Sequence, residues 1–339
     1  MILPHSPASF FPLLCGNSWS LQWYDSHTMQ KPIQFPDFFV IGAPRCGTTS
    51  LCRYLARNPQ VCFSRPKEPH YFTQIDHLPS PDELKRNYLE RCFSHQLETH
   101  RVTGEGSVSY LYLPGVLERI NQLNPESRFI VLVRNPLSML PSYHLRMQFL
   151  LQEDEPDFEK AWGLEASRLR GESLPKTCLD ARLVQYSEVA KFGAQVQHLF
   201  DLVGRDRSHV IVFDDFKTDP LSAYQQTLEF LGVDYDGQTE FERRYASQMY
   251  RYRWLQRLLF VPATSGRKTI ETLQRRRRKY NEDGSKRPSL VKKVVNLNKQ
   301  PMSPAPLLPK MADTVRETLR QDVEHLSELL NRDLGFWFD

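Results

Sequence analysis

At 339 residues with 40% hydrophobic content, the chain can bury a full core as one large domain with appendages. Its net charge of +4 is unevenly placed: between Arg267 and Lys299 stand 12 Lys/Arg against 3 Asp/Glu, so this segment, not the net-acidic remainder, would face an anionic partner. No apolar run reaches the roughly 18 residues of a membrane-spanning helix. The six cysteines show neither a C-x-x-C pair nor metal-ligand spacing, and read as reduced thiols of a cytoplasmic protein without a metal site.

Residues 1–34 read as a poorly ordered leader. The apolar run Phe10 to Cys15 is short, broken by Pro12 and lacks a preceding basic region, so it does not read as a signal peptide; Met29 is a candidate natural start. Residues 35–339 read as one domain, including the basic segment 267–299 and a C-terminal helix over 311–330.

Phe38-Phe39-Val40-Ile41 is a buried strand that runs into a glycine-containing turn and then a helix over Ser50–Asn58, stopped by Pro59. Val61–Phe63 predicts a second strand, Asp82–Arg91 a helix, and Val102–Gly104 an edge strand. Pro114 opens a helix to Leu123, and Phe129–Val133 is a strong strand followed by a helix toward Leu151. Glu153-Asp154-Glu155-Pro156 reads as a surface loop, and long helices are expected over Phe158–Leu169 and Ala181–Val203. His209–Phe213 is a further strand and Pro220–Leu231 a further helix. Residues 237–300 have weak periodicity, and the four prolines from Pro301 to Pro309 form a rigid linker. Strands alternating with helices define an α/β fold with a central, mainly parallel sheet flanked by helices, a P-loop-like three-layer arrangement.

In such a sheet, ligands bind beyond the carboxyl ends of the strands, and three candidate loops fall there. The first, Gly42 to Thr49, nearly matches the phosphate loop G-x-x-x-x-G-K-[ST], but Thr48 stands at the lysine position and Arg45 is the loop's only cation. Its backbone N–H groups, helix dipole and hydroxyls suit a terminal oxyanion. The second loop, Lys67-Glu68-Pro69-His70, places a carboxylate and an imidazole two residues apart; on an extended segment both point the same way, and together they could take an acceptor proton. The third places Arg134 past a strand, with Ser138 and Ser142 on the next helix, which suits a second phosphate. Each has an ordinary alternative: a glycine-rich turn, a solvated surface pair, and an arginine pairing with an acid at a strand end.

Taken together, the loop with Arg for Lys, K-E-P-H-Y-F, and F-I-V-L-V-R-N-P followed by S-Y resemble the sulfotransferases that use 3′-phosphoadenosine 5′-phosphosulfate (PAPS), in particular bacterial relatives of the heparan sulfate and carbohydrate type. The resemblance covers about residues 37–232 and, loosely, the C-terminal helix. It implies that Arg45, Cys46, Gly47, Thr48, Thr49 and Ser50 hold the 5′-phosphosulfate and that Arg134 and Ser142 hold the 3′-phosphate. It also implies that Glu68 is the catalytic base, with His70 accompanying it. Three positions depart from the family pattern: Gly106 stands where the heparan enzymes carry a catalytic Lys, Met139 where an Arg is often found, and Asp283 to Arg287 only faintly echoes a C-terminal basic loop.

The implied reaction needs PAPS as co-substrate and no metal. It moves a sulfuryl group to a hydroxyl or amine of a glycan, glycolipid or small hydroxylated molecule. The basic segment contains one aromatic residue, Tyr280, so it offers no stacking platform for nucleic acid. Two rival readings stay open: a P-loop kinase of a small metabolite, which Thr48 opposes, and a non-catalytic nucleotide-binding module acting through the basic segment.

Overall fold

Five consecutive fully buried residues, Phe38–Gly42, form β1 at the centre of the sheet. The computed structural model describes residues 33–178, 180–242, 248–252, 254–256 and 290–339. The leader and most of the basic segment, including Asp283 to Arg287, lie outside these. After β1 come α1 (Thr48–Arg57), β2 (Val61–Phe63), β3 (Val102–Glu105), α2 (Val116–Leu123), β4 (Arg128–Val133) and α3 (Pro136–Phe149). Then follow α4 (Phe192–Val203), β5 (Ser208–Val212), α5 (Phe213–Thr218) and α6 (Pro220–Leu231). The described chain ends with β6 (Gln248–Tyr250), α7 (Leu290–Leu297), β7 (Lys299–Pro301) and α8 (Pro309–Leu330).

The main sheet has the order β2-β3-β1-β4-β5, and every pairing is parallel. This explains why β1 and β4 read as unbroken apolar runs: both of their faces are covered. Helices α1, α5 and α6 pack as one set and α2, α3, α4 and α8 as another, the outer layers of the α/β fold. The C-terminal helix α8 is tied in by polar contacts as well as its apolar stripe. Asp322 accepts the backbone N–H groups of Gly193 and Ala194 at 2.8 and 2.9 Å, capping α4. Beyond it, the Trp337 indole donates to Asp214 at 2.9 Å, and the Trp337 carbonyl accepts Asn135 at 2.7 Å.

Several expectations need correction. Strand β3 is not at the edge but lies between β2 and β1. Its buried Glu105 accepts the Tyr88 hydroxyl, which lets a short polar strand sit inside the sheet. The expected helix 82–91 is interrupted by a wider turn over Lys85–Leu89. The helix expected over 158–169 breaks at Leu164, and 181–203 breaks into Ala181–Val184, Tyr186–Val189 and α4. Polar contacts win over periodicity there: Glu165 accepts the Ser187 N–H and hydroxyl at 2.8 and 2.7 Å. The acidic loop is not all surface either. Glu153 is buried in a bidentate pair with Arg168, both bonds at 2.8 Å, and accepts the Tyr186 hydroxyl at 2.6 Å.

One half-buried base gives a test of stability. His209 in β5 stacks on Phe230 at 5.2 Å, its Nε2 has no partner, and burial pushes its pKa from 6.5 down to about 4. Between those values the unfolded chain binds more protons, so stability falls as pH drops below 6.5. His209→Phe should therefore flatten the stability profile between pH 7 and 5, with a gain of about 1 kcal/mol at pH 5 after discounting for partial exposure, read by urea unfolding.

Candidate active site

The chain passes from β1 to β2 on one side and from β4 to β5 on the other, so the carboxyl ends of β1 and β4 flank the switch point at which such sheets bind ligands. The amide of Ala43 donates to Leu132 at 2.8 Å, holding the start of the first loop against β4. Gly47 then caps α1 with φ 96°, and the amides of Ser50 and Leu51 bond back to its carbonyl. The amides of Gly47, Thr48 and Thr49 precede these bonds and stand at the helix's positive end. No acidic residue lies in the first turn of α1 to oppose an anion. Thr48 is almost wholly buried, whereas Thr49 and Ser50 are half-buried. Cys46 is buried beside Pro44, its Sγ 3.4 Å from that carbonyl, and burial pushes its thiol far up, so it contributes a neutral group.

Arg45 adopts φ 64°, and its Nε donates to the Ser142 hydroxyl at 2.8 Å. Its carbonyl accepts Arg134 Nη1 at 3.0 Å, and Arg134 Nε donates to Ser138 at 2.9 Å. The Arg134 guanidinium lies 4.7 Å over the Phe213 ring. The first and third loops therefore form one unit, but Ser142 is bonded to Arg45 and it is Ser138 that holds Arg134. Burial pushes the Arg45 pKa down to about 10, helped by the neighbouring Arg146 and Arg134 cations. Burial also lowers Arg134 and Arg146. Crowded, partly desolvated guanidiniums beside free helix-start amides fit a ligand carrying several negative charges.

The second loop leaves β2 beside β3, with the Ser64 amide donating to the Gly104 carbonyl at 2.9 Å. It brings Glu68 and His70 together, though not through an extended segment: His70 has φ 50°. The His70 N–H donates to Ser107 Oγ at 3.0 Å, its Nδ1 lies 2.8 Å from Ser109 Oγ, and its Nε2 faces Glu68 at 3.5 Å. With Nδ1 accepting from Ser109, Nε2–H is the donor toward the carboxylate. Lys67 Nζ lies 2.6 Å from the other Glu68 oxygen, at side-chain exposures of 26% and 30%. Burial alone would raise the Glu68 carboxyl, but Lys67 and His70 outweigh it and hold the group well below the usual carboxylate range.

The Gly106 departure has a steric reason. A Cβ there would come within 2.7 Å of Cys52 Sγ and 3.2 Å of Phe63, so no lysine could be accommodated without repacking. The ammonium that lies against Glu68 in this structure is that of Lys67. Met139 is wholly buried in the core and carries no charge toward the site. The spacing patterns did not single out Arg146, one turn beyond Ser142 on α3; its only signal in the sequence was the four-residue interval from that serine.

A parallel sheet with arginines and helix-start amides at its switch point, beside a carboxylate–imidazole pair, has the arrangement of a group-transfer enzyme. The chain matches the sulfotransferase domain over residues 35–257, more than half its length, and belongs to that family. It is 30% identical over 130 residues to the membrane-associated sulfotransferase kil1 of Dictyostelium discoideum, covering 38% of this chain and 27% of the relative. It is 51% identical over 163 residues to mouse carbohydrate sulfotransferase 15, covering 35% of this chain and 29% of the relative. The matched regions thus span less than a third of either relative's length. A sulfotransferase crystal structure from Alicyclobacillus acidocaldarius shares the fold, with a TM-score of 0.60 at 23% identity over 91% of this chain and all of the other.

Proposed function

We propose that the protein transfers the sulfuryl group of PAPS to a hydroxyl or amine of an acceptor, a carbohydrate or glycolipid, without a metal ion. The observation that carries this reading is the lysine-free loop whose Arg45 is bonded to Ser142 and Arg134, opposite an ion-paired Glu68. A lysine at the Thr48 position would serve a γ-phosphate. A nucleotide with one 5′-phosphate and a sulfuryl group has none.

In the proposed roles, the amides from Gly47 to Thr49, with the Thr48, Thr49 and Ser50 hydroxyls, bind the 5′ end and Cys46 lines it. Arg134 and Ser142 bind the 3′-phosphate, with Ser138 orienting Arg134. In the transfer, the bond from sulfur to the bridging phosphate oxygen breaks as a bond from sulfur to the acceptor oxygen forms. The electron pair stays on the departing phosphate, where Arg45 offsets it, and the acceptor proton passes to Glu68. A strongly acidic Glu68 still serves, because in a loose transition state the acceptor O–H acidifies late, as its oxygen bonds to sulfur. His70 orients the carboxylate.

A carbohydrate acceptor is supported by the likeness to carbohydrate sulfotransferase 15, and an anionic glycan would suit the basic segment 267–299. A cytoplasmic location belongs to the same proposal, on the ground that the six cysteines show no C-x-x-C pair and no disulfide-framework spacing in a chain of this length. Calorimetry tests the nucleotide. The desulfated product PAP should bind in the absence of magnesium; binding of Mg-ATP alone would support a kinase, and binding of neither a non-catalytic module.

A further inference from the structure

Arg146 belongs to the same face of α3 as Ser142, one helical turn further on, and Ser142 is the residue that holds Arg45. Its half-buried guanidinium lies 5.3 Å over the ring of Phe149, and Phe149 stacks on Tyr250 of β6 at 4.4 Å and 12°. Among the described residues, that guanidinium makes no hydrogen bond and no ion pair. Arg45 and Arg134 differ in this respect, because both commit donors to protein oxygens. Arg146 nonetheless lies within electrostatic reach of both Arg45 and Glu68, the groups assigned to the leaving phosphate and the acceptor proton. A guanidinium steadied by an aromatic ring, with its donors uncommitted, is set up to meet a ligand rather than to brace the fold.

We propose that Arg146 contacts the sulfuryl oxygens, supplying from α3 the cation that Thr48 does not supply from the loop. Its place one turn past Ser142, the residue that holds Arg45, is the ground for setting it against the group in transit, and the difference between PAPS and PAP affinities separates this from a contact to the 3′-phosphate that Ser142 is assigned to hold. The fork geometry of arginine suits two equatorial sulfuryl oxygens at once. This rests on the PAPS reading above and adds a residue that acts on the transferred group alone.

The contrast between PAPS and PAP isolates that group, because the two nucleotides differ only by the sulfuryl. Calorimetric affinities for both are compared in wild type, Arg146→Ala and Arg146→Lys, with thermal melting of each variant. In Arg146→Ala, PAPS binding should weaken about tenfold or more, while PAP stays within about threefold, as expected when one charge-assisted hydrogen bond is removed. Arg146→Lys should recover part of the PAPS affinity, because it restores charge without the fork, and the melting temperature should hold. Equal weakening of PAPS and PAP would overturn the proposal in favour of a phosphate ligand. Unchanged affinity for both, or a fall in affinity that follows a fall in melting temperature, would reduce Arg146 to a packing residue. Wild type that binds neither nucleotide defeats the PAPS reading itself, before any variant is compared.

Discussion

Replacing Glu68 with glutamine should lower turnover about 10²–10⁴-fold, the range for losing a positioned general base. Glutamine keeps the shape and can still accept from Lys67, but it cannot take a proton. PAP affinity and melting temperature should change little, so the loss appears in turnover and not in nucleotide binding. The pH profile provides a second readout. Because Lys67 and His70 hold the carboxyl low, Glu68 stays ionised well below its ordinary value of 4.5. Between pH 7 and 5 its protonation should therefore remove no activity. A glutamine variant with wild-type turnover would remove Glu68 from the chemistry and leave the Lys67 contact as an ordinary surface pair.

Arg45→Ala should cost about 10²–10³-fold in turnover, the size seen when one donor to a developing oxyanion is removed. The substitution keeps the Arg45 carbonyl, so the 3.0 Å bond from Arg134 survives and the third loop stays tied to the first. It frees the Ser142 hydroxyl, which Arg45 engages at 2.8 Å. PAP binding should weaken as well, since the guanidinium also meets the ground-state phosphate; the turnover loss should exceed the binding loss. Near-normal turnover in this variant would transfer the leaving-group role to another cation.

The parts of the fold that were legible in the sequence are those with both faces covered or with firm ends. Phe38–Ile41 read as a buried strand because nothing polar interrupts it, and the strand runs one residue further, to Gly42. The bounds of Pro220–Leu231 were readable because Asp219 caps the Ser222 amide at 2.9 Å and Gly232 turns left-handed at the far end. What escaped depends on partners distant in sequence. Val102–Glu105 is too short and polar to announce an interior strand; its place follows from Tyr88 reaching the Glu105 carboxyl. Glu153 looked solvated because Arg168, 15 residues away, cannot be paired with it by spacing alone.

The site divides the same way. The three loops were visible as motifs, and the parallel order of the strands puts all three at the same end of the sheet. The bonds made there were not visible. That Ser142 answers to Arg45 and Ser138 to Arg134 is a matter of side-chain reach across 97 and 4 residues. The steric exclusion at Gly106 depends on Cys52 and Phe63, from α1 and β2, meeting at the same point. Lys67 could be counted in the sequence but not weighed, since only the fold shows it partly buried against Glu68.

The most direct measurement is transfer itself: the full chain incubated in chelator with sulfur-labelled PAPS and a panel of glycans, glycolipids and small hydroxylated acceptors. The expected result is label in a carbohydrate acceptor with an equal amount of PAP released, and loss of both in Glu68→Gln. Absence of transfer across the panel, with magnesium-dependent consumption of ATP in its place, would contradict the assignment.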